Sequence, residues 1–465
     1  MTNDAIRLTQ LQDRSHFIHP WESMADAGKN DRSVITRAEG IYVYDEHNRQ
    51  LIDGPGGMWC MQIGYGRQEM ADAIADQVMA MPYMNPFALT SAPSAQLAAR
   101  LAEKAPGDLN HVFLTTCGST AVDTALRFVQ FYNNVKGRPH KKQLISRADA
   151  YHGSTYLCAQ VTGKDRDKNW FDVDSPNVHF LSQVNASKRP SGTTAEQFCD
   201  ARVNELEQKI LQLGADNVAA FIAEPIQASG GVIVPPDGYL RRCREICRQY
   251  DVLFIADEVV TAFGRLGHWF ASKEVFGIEP DMITCAKGLT SGYLPMGACL
   301  ISARIFAEVS GEHANGATFA HGYTYSGHPV ASRAALTSMD IIEREQILEH
   351  VRAISPYFQQ RLQELASIPL VAEVRGLGLV GCVECTVGGA ASLEFDMDLG
   401  ARIDAHCQQL GLMVRPIVNK CVFSPPLIIT VEQIDQMIAI LKQAILLTMQ
   451  DLELECGIHI GAVAA

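Results

Sequence analysis

A lysine and an aspartate each stand at the end of a short apolar run in this chain of 465 residues. Lys287 follows the run 282–286 and precedes a glycine, whereas Asp257 closes the run 252–256. The carboxyl ends of neighbouring parallel strands meet at one edge of a sheet, so the amine and the carboxylate would face one crevice. That pairing suits pyridoxal phosphate (PLP), which forms a Schiff base with a lysine and takes a carboxylate partner at its pyridinium nitrogen. A single lysine in such a place is more often a solvated surface residue, so the assignment depends on the surrounding segments.

A run of small residues follows the predicted strand 111–116 and opens a predicted helix. Gly118 permits close approach of a ligand to the backbone, and Ser119 and Thr120 add hydroxyl donors. The first N–H groups of a helix have no intrahelical partner and carry a partial positive charge, which together suit a phosphate. In the alternative interpretation, Ser119 only caps the helix.

Two further segments carry polar or aromatic residues directly after predicted strands. Tyr151 and His152 follow the run 143–146, and the tyrosine ring could lie against one face of a flat heterocycle. Glu224 follows the run 219–223, on the carboxyl side where open α/β sheets bind ligands. Considered singly, each is an ordinary packing residue or surface charge, but their order at successive strand ends predicts one shared crevice.

The hydrophobic pattern predicts an α/β fold. Short apolar strands alternate with helical patterns over residues 66–332, which indicates a large domain with a mainly parallel central sheet flanked by helices. Residues 1–65 and 333–465 contain strand pairs and helices, and we expect them to form one smaller, discontinuous α+β domain. The clearest predicted strands of the large domain are 111–116, 219–223, 252–256, 282–285 and 297–302.

Composition excludes several classes of protein. A formal charge of −13 argues against a nucleic-acid partner, and no apolar run reaches the roughly 18 residues that span a bilayer. The opening residues lack a basic n-region and an apolar h-region, and the 13 cysteines are an odd number typical of reduced thiols. We therefore expect a cytoplasmic protein without a membrane segment.

Two other motifs resemble binding patterns, one for a dinucleotide and one for a metal, but their context does not support either site. Residues 376–381 match G-x-G-x-x-G, but that motif requires a helix after it, and residues 380–384 have the pattern of a strand. Cys382 and Cys385 form a C-x-x-C without a second pair at zinc-like spacing. We expect neither a dinucleotide nor a metal at these positions.

Taken together, these motifs resemble those of the class III aminotransferases, which are fold type I PLP enzymes. The resemblance covers residues from about 20 to 450, and it is strongest to the ω-transaminases, or amine:pyruvate aminotransferases. The segment 53–60 resembles the substrate mouth of those enzymes, and 411–416 resembles the region of their mobile arginine. Thr120 stands where the family usually has glutamate, so the role of that glutamate does not transfer. The motifs that carry the resemblance are Gly118-Ser119-Thr120-Ala121, Tyr151-His152-Gly153, Glu224-Pro225-Ile226-Gln227, Asp257-Glu258-Val259 and Ala286-Lys287-Gly288.

The resemblance implies a role for each residue of these motifs. Lys287 would bind PLP and move a proton, and Asp257 would keep the pyridine nitrogen protonated. Tyr151 and Val259 would pack on opposite faces of the cofactor ring. Thr324 would reach the phosphate from a partner subunit, which requires a homodimer or a dimer-based tetramer with shared active sites. The remaining cofactor-binding candidates are Gly118, Ser119, Thr120, His152 and Glu224, and the substrate-binding candidates are Trp59, Phe87, Tyr151 and Arg415.

The predicted function is PLP-dependent transamination. An amino group would pass from a primary (ω-)amine to a keto acid, with pyruvate expected, by ping-pong chemistry. Two alternatives stay open: a PLP-dependent aminomutase or decarboxylase of the same fold, and a PLP-binding protein without catalysis.

Overall fold

The computed structural model describes residues 1–389 and 392–456. The strands are β1 (Arg37–Glu39), β2 (Tyr42–Tyr44), β3 (Gln50–Asp53), β4 (His111–Thr115), β5 (Gln143–Arg147), β6 (Val178–Leu181), β7 (Val218–Ala223), β8 (Leu253–Asp257), β9 (Met282–Cys285), β10 (Gly297–Ile301), β11 (Val371–Leu377), β12 (Val380–Cys385), β13 (Leu412–Met413), β14 (Arg415–Ile417) and β15 (Lys420–Phe423). The helices are α1 (Asn3–His16), α2 (Gly56–Trp59), α3 (Gln68–Ala80), α4 (Ala92–Lys104), α5 (Gly118–Val135), α6 (Tyr156–Val161), α7 (Ala195–Leu213), α8 (Tyr239–Gln249), α9 (Ala271–Glu274), α10 (Ala303–Ala307), α11 (Pro329–Arg344), α12 (Ile347–Gln363), α13 (Ser392–Phe395), α14 (Leu399–Leu410) and α15 (Val431–Cys456).

A seven-stranded sheet forms the centre of the molecule, in the order β4-β10-β9-β8-β7-β5-β6. The five strands from β9 to β6 run parallel, and only β10 is antiparallel to its neighbours β9 and β4. Every residue of β7, β8 and β9 is buried, as expected of strands covered on both faces. The predicted mainly parallel α/β sheet is confirmed. The pattern had not revealed β6.

Two four-stranded sheets lie outside the central one. The first has the order β1-β2-β3-β13, in which β13 runs parallel to β3 and joins residues from distant parts of the chain. The second has the order β11-β12-β15-β14. This arrangement is consistent with a small domain assembled from both flanks. The boundaries at residues 66 and 332 stay a prediction.

The glycine-rich motif at residues 376–381 spans the turn between β11 and β12, with Gly378 at a φ of +62°. The predicted strand follows the motif, in place of the helix that a dinucleotide site requires. Cys382 and Cys385 are buried within β12. Among the described residues no group of three or more histidine, cysteine or acidic side chains is placed to hold a metal ion. None of the helices that the structure describes is long and apolar enough to cross a membrane.

Glu258 is fully buried directly after β8. Its carboxylate accepts hydrogen bonds from the segment that follows the strand, residues 261–272. One carboxylate oxygen accepts the N–H of Ala271 at 2.6 Å and the hydroxyl of Thr261 at 3.0 Å. The other accepts the N–H of Ser272 at 2.9 Å. Burial raises the pKa of Glu258, and these donors oppose the shift. Glu258 therefore has a structural role although it stands next to Asp257.

We expect Glu258→Ala to lower the midpoint of thermal unfolding by several degrees. The substitution leaves buried N–H donors without an acceptor, which costs about 1–3 kcal/mol for each group. Differential scanning calorimetry measures the change. Glu279→Ala is the control, because Glu279 forms an exposed ion pair with Lys273. Equal midpoints for the two variants would contradict the structural role of Glu258.

Candidate active site

Three charged residues stand at or just beyond the carboxyl ends of adjacent parallel strands. Glu224 follows β7 directly, Asp257 is the last residue of β8, and Lys287 comes two residues after β9. Lys287 begins a short 3₁₀ turn and has a φ of +44°, an uncommon conformation for a non-glycine residue. Because β7, β8 and β9 are adjacent and parallel, these three residues lie at the same edge of the sheet, as the sequence predicted.

Asp257 is 4% exposed and receives three hydrogen bonds. His152 Nδ1 lies 2.7 Å from one carboxylate oxygen, and since a carboxylate only accepts, this nitrogen carries the proton. Thr284 Oγ1 and the N–H of Val259 each donate to the other oxygen at 3.1 Å. The carboxylate is thus fixed by β9, by the segment after β5 and by its own loop.

Glu224 supports the segment that carries Tyr151. One carboxylate oxygen accepts the N–H of Tyr151 at 3.0 Å, and the other accepts the N–H of Ala228 at 3.2 Å. Burial raises the pKa of Glu224, and His152 and the N–H donors oppose it. Glu224 therefore joins the loops after β5 and β7 across the sheet edge.

Lys287 is partly buried, and its electrostatic surroundings suit a nucleophile. Burial lowers the pKa of Lys287, whereas the carboxylates of Asp257 and Glu224 act in the opposite direction. A lower pKa raises the fraction of uncharged amine, which is the form that attacks a carbonyl carbon.

The N-terminus of α5 has the shape of an anion cradle. Cys117 is the N-cap residue, and Thr120 Oγ1 accepts the N–H of Cys117 at 2.9 Å. Ser119 Oγ instead accepts the N–H of Ser154 at 3.1 Å, so the alternative in which Ser119 only caps the helix is wrong. A Cβ atom at Gly118 would lie 2.9 Å from Val259 Cγ1, so only glycine lets these two segments approach so closely.

Tyr151 lies between charged and aromatic neighbours at this edge. Its hydroxyl is 3.0 Å from Ser154 Oγ, and Lys164 Nζ is 5.8 Å from the ring centroid. The ring of Trp21 meets it edge-on with centroids 5.8 Å apart. Burial raises the pKa of Tyr151.

Arg415 begins β14 and is partly buried. Among the hydrogen bonds and ion pairs of the described residues, none involves its guanidinium. Burial lowers the pKa of Arg415; the Tyr151 side chain opposes this shift and Arg166 adds to it. An ion pair between Arg415 and a surface acid therefore finds no support in the described part of the chain.

The other predicted substrate and partner residues differ in exposure. Trp59 is buried with a φ of +66° and belongs to an apolar cluster with Ile226 and Ala228. Phe87 is 79% exposed, and Thr324, whose carbonyl accepts the hydroxyl of Tyr83 at 2.9 Å, is also exposed. Phe87 and Thr324 are thus surface residues of the single chain.

The sequence did not reveal three residues of the site. Thr284 lies within β9, two residues along the strand from Met282, and only its pairing beside Asp257 of β8 makes its hydroxyl a partner. Lys164 Nζ donates to the carbonyl and the hydroxyl of Ser229, both at 2.6 Å. Trp21 precedes every motif that had been recognised. Strand alternation could have indicated Thr284, whereas no local signal marks Lys164 or Trp21.

Comparisons with known proteins agree with this geometry. The family model described as aminotransferase class-III matches residues 23–445. The chain is 41% identical over 448 residues to the putrescine–pyruvate aminotransferase of Pseudomonas aeruginosa, covering 96% of this chain and 97% of that protein. A solved (S)-enantioselective ω-transaminase from Thermomicrobium roseum matches with a TM-score of 0.90 at 35% identity, covering 97% of this chain and 99% of that one. The ω-transaminase of Pseudomonas jessenii, solved in complex with PMP, matches with a TM-score of 0.91 at 35% identity, covering 95% and 98%.

We expect Gly118→Ala to weaken PLP binding about tenfold, since overpacking of about 1–3 kcal/mol must be relieved by a shift of Val259. Equilibrium dialysis of the cofactor measures the change. Val259→Ala alone is the control, and the double variant Gly118→Ala/Val259→Ala should recover affinity because the clash is removed. An unchanged dissociation constant in Gly118→Ala would contradict a tight cradle.

Proposed function

The chain belongs to the class III aminotransferases, and we propose that it transfers an amino group from a primary amine to a keto acid, with pyruvate as the preferred acceptor. One observation carries this proposal. Lys287 and Asp257 lie at adjacent strand ends, and the guanidinium of Arg415 forms no hydrogen bond or ion pair among the described residues. Burial lowers the pKa of Lys287, and the positive charge of Arg415 adds to this shift. The relative from Pseudomonas aeruginosa, named for putrescine and pyruvate, supports both the donor class and the acceptor.

The cofactor of this family is PLP, and the residues present fit it. Gly118 leaves space that a Cβ would fill, and the first turn of α5 offers free N–H groups to a phosphate. Lys287 would supply the amine that binds the aldehyde, and the Asp257 carboxylate would be the partner for the ring nitrogen. When bound, PLP supplies an electron sink for the charge that develops at the substrate carbon.

Lys287 also serves as the proton carrier at the substrate Cα atom. Its lowered pKa brings it nearer to neutral pH, where a general base is most effective. The fixed negative charge of Asp257 would favour a protonated ring nitrogen on the cofactor. Tyr151 and Val259 would bound the cofactor ring, whereas His152 holds Asp257 and Glu224 holds Tyr151 in position.

Arg415 gives the site its acceptor preference. One pocket must accept a keto acid with a carboxylate and an amine without one. A fixed buried arginine would be left unpaired by the amine, at a cost of several kcal/mol. An arginine without an ion pair in the described residues can bind the carboxylate of pyruvate and turn towards solvent for the amine. Trp59 would bound the apolar side of this pocket.

The functional unit is a homodimer or a dimer-based tetramer. Thr324 and Phe87 are exposed on the single chain, and a partner subunit would receive them at its phosphate and its amine pocket. The cytoplasm is the proposed location, supported by the 12 cysteines whose side chains the structure describes, each of which is a free thiol.

We expect Lys287→Ala to lose the absorbance of the lysine-bound cofactor, and turnover with an amine and pyruvate should fall by several orders of magnitude, because one residue supplies both the attachment and the proton. Absorption spectroscopy and a keto-acid-dependent assay measure the two effects. Lys442→Ala, at an exposed position on α15, is the control. Near-normal turnover in Lys287→Ala would disprove the assignment. Turnover of the unaltered enzyme without any keto acid would favour an aminomutase or decarboxylase instead.

A second substitution tests the acceptor site. We expect Arg415→Ala to raise the Michaelis constant for pyruvate about 10–100-fold, taking about 1.5–3 kcal/mol for a hydrogen bond to a charged group, while the half-reaction with a simple alkyl amine is nearly unchanged. Rapid-mixing spectroscopy resolves the two half-reactions. Arg166→Ala is the matched control, because the neighbouring Arg166 is exposed and pairs with Asp167. Equal losses in both half-reactions would show that Arg415 supports the fold or the cofactor.

A further inference from the structure

A segment from the N-terminal part of the chain holds the strained turn that carries Lys287. Lys287 has a φ of +44° and Ser291 a φ of +51°, and non-glycine residues keep such angles only where neighbouring contacts hold them. Ser291 Oγ accepts the N–H of Ile63 at 2.9 Å, and the hydroxyl of Tyr293 donates to the carbonyl of Gly64 at 3.0 Å. The turn therefore keeps its shape through contacts with residues just after α2.

Gln62 makes a very close approach to this turn. A Cβ atom at Gly288 would lie 2.2 Å from Gln62 Nε2 and 2.6 Å from Gln62 Cδ, so the amide packs against the backbone next to Lys287. Gln62 is fully buried, and neither end of its amide has a hydrogen-bond partner among the residues that the structure describes. Buried polar side chains are almost always hydrogen-bonded, either to protein or to ordered water. The amide of Gln62 therefore requires a partner other than these residues.

Two charged side chains are buried with incomplete hydrogen bonding in the same way. Asp53 Oδ2 accepts the hydroxyl of Tyr65 at 2.7 Å, whereas Asp53 Oδ1 accepts no hydrogen bond from the described part of the chain. Arg265 Nη1 donates to the carbonyl of Pro425 at 2.6 Å, whereas Nε and Nη2 have no acceptor within the described ranges. Asp53 is 1% exposed and Arg265 is 0% exposed, so bulk solvent does not satisfy these atoms.

One short segment, residues 424–427, brings these three side chains together. It donates backbone N–H groups to the carbonyls of Gly54 and Gln62, both at 2.9 Å. The guanidinium of Arg265 is bonded to a carbonyl of the same segment. Since Gly54 follows Asp53 in the chain, all three side chains start beside this segment or reach it.

Electrostatic effects show the same proximity. Burial raises the pKa of Asp53 and lowers the pKa of Arg265, and each of the two charges opposes the shift of the other. Burial also raises the pKa of Cys60; the charges of Lys287 and Arg265 oppose this shift, and that of Asp53 adds to it. Cys60 is therefore close both to the lysine and to the buried ion pair.

A neutral molecule that both donates and accepts hydrogen bonds fits this place. The carboxylate of Asp53 would repel an anion, and the guanidinium of Arg265 would repel a cation. Water can accept from Arg265, donate to Asp53 Oδ1 and bond to the amide of Gln62, and buried water typically makes about three such bonds.

We propose that Gln62 is a positioning residue for Lys287. The amide of Gln62, the remaining oxygen of Asp53 and the remaining N–H groups of Arg265 enclose a site for ordered water. This water holds the amide of Gln62 against Gly288 and so fixes the turn that carries the lysine. The inference rests on the proposed function, in which Lys287 holds the cofactor.

One test is a pH titration of the absorbance of the lysine-bound cofactor, whose midpoint reports protonation of the lysine nitrogen. Gln62→Met keeps the length of the side chain but replaces the amide by apolar atoms, and the midpoint should fall by about one unit because apolar surroundings disfavour the charged nitrogen. Gln62→Glu should raise the midpoint, because a carboxylate favours the charged form. Besides burial, the groups that act on the pKa of Lys287 are Asp257, Cys60, Glu224 and Arg415, and both variants keep all four. The inference fails unless the two variants move the midpoint in opposite directions.

A crystal structure of the unaltered holoenzyme tests the water site directly and does not depend on the folding of a variant. Water should lie about 2.7–3.2 Å from Asp53 Oδ1, from Nε or Nη2 of Arg265 and from the amide of Gln62. Crystals soaked in bromide distinguish water from a halide by anomalous scattering. An anomalous peak at the site, or direct pairing of the three side chains without water, would overturn the inference.

Gln212→Met is the matched control, because Gln212 is exposed near the end of α7 and should leave the titration midpoint unchanged. If the unaltered protein shows no absorbance from a lysine-bound cofactor, the proposed function fails. If it shows that absorbance and the Gln62 variants titrate as the unaltered protein does, only the inference about Gln62 fails. The two failures are therefore distinguishable.

Discussion

A buried carboxylate at the end of β8 is the constraint on which the site depends. An ionised group removed from water is stable only when it is hydrogen-bonded or paired. Asp257 meets this requirement with donors from three separate stretches of chain: His152, Thr284 and Val259. Two of these donors stand next to residues of the site in the sequence, because His152 follows Tyr151 and Thr284 belongs to β9, which leads to Lys287. The hydrogen bonds that stabilise the buried charge of Asp257 thus also fix the positions of the segments that contain Tyr151 and Lys287.

Burial acts on two cations of the site with different chemical results. Desolvation lowers the pKa of both Lys287 and Arg415. A lysine that loses its proton becomes a nucleophile and a base, whereas an arginine keeps its charge under almost all conditions. The lysine can therefore alternate between charged and neutral forms near two carboxylates. The arginine instead keeps a positive charge that has no ion pair among the residues the structure describes, and a carboxylate substrate would supply one.

The sequence predicted the elements better than the contacts between them. Apolar runs ending in Glu224, Asp257 and Lys287 identified three adjacent strands, because fully buried parallel strands leave a simple local pattern. The bond between His152 and Asp257 joins positions 105 residues apart, and nothing local marks it. The antiparallel β10 and the short β6 depend on pairing across the sheet. Phe87 and Thr324 are exposed on the single chain, and no pattern within one chain establishes whether a second chain covers them.

Two neighbouring acids show why a strand-end motif alone does not assign chemistry. Asp257 and Glu258 are adjacent in sequence and both buried, so composition and spacing alone do not distinguish their roles. Successive side chains leave a strand on opposite sides. Asp257 accordingly meets the groups around Lys287, whereas every donor to Glu258 comes from residues 261–272. Reversing the two acids would keep the motif's charge but would direct the carboxylate away from the lysine. What distinguishes the acid that we propose for catalysis from the structural one is the side of the strand on which it lies.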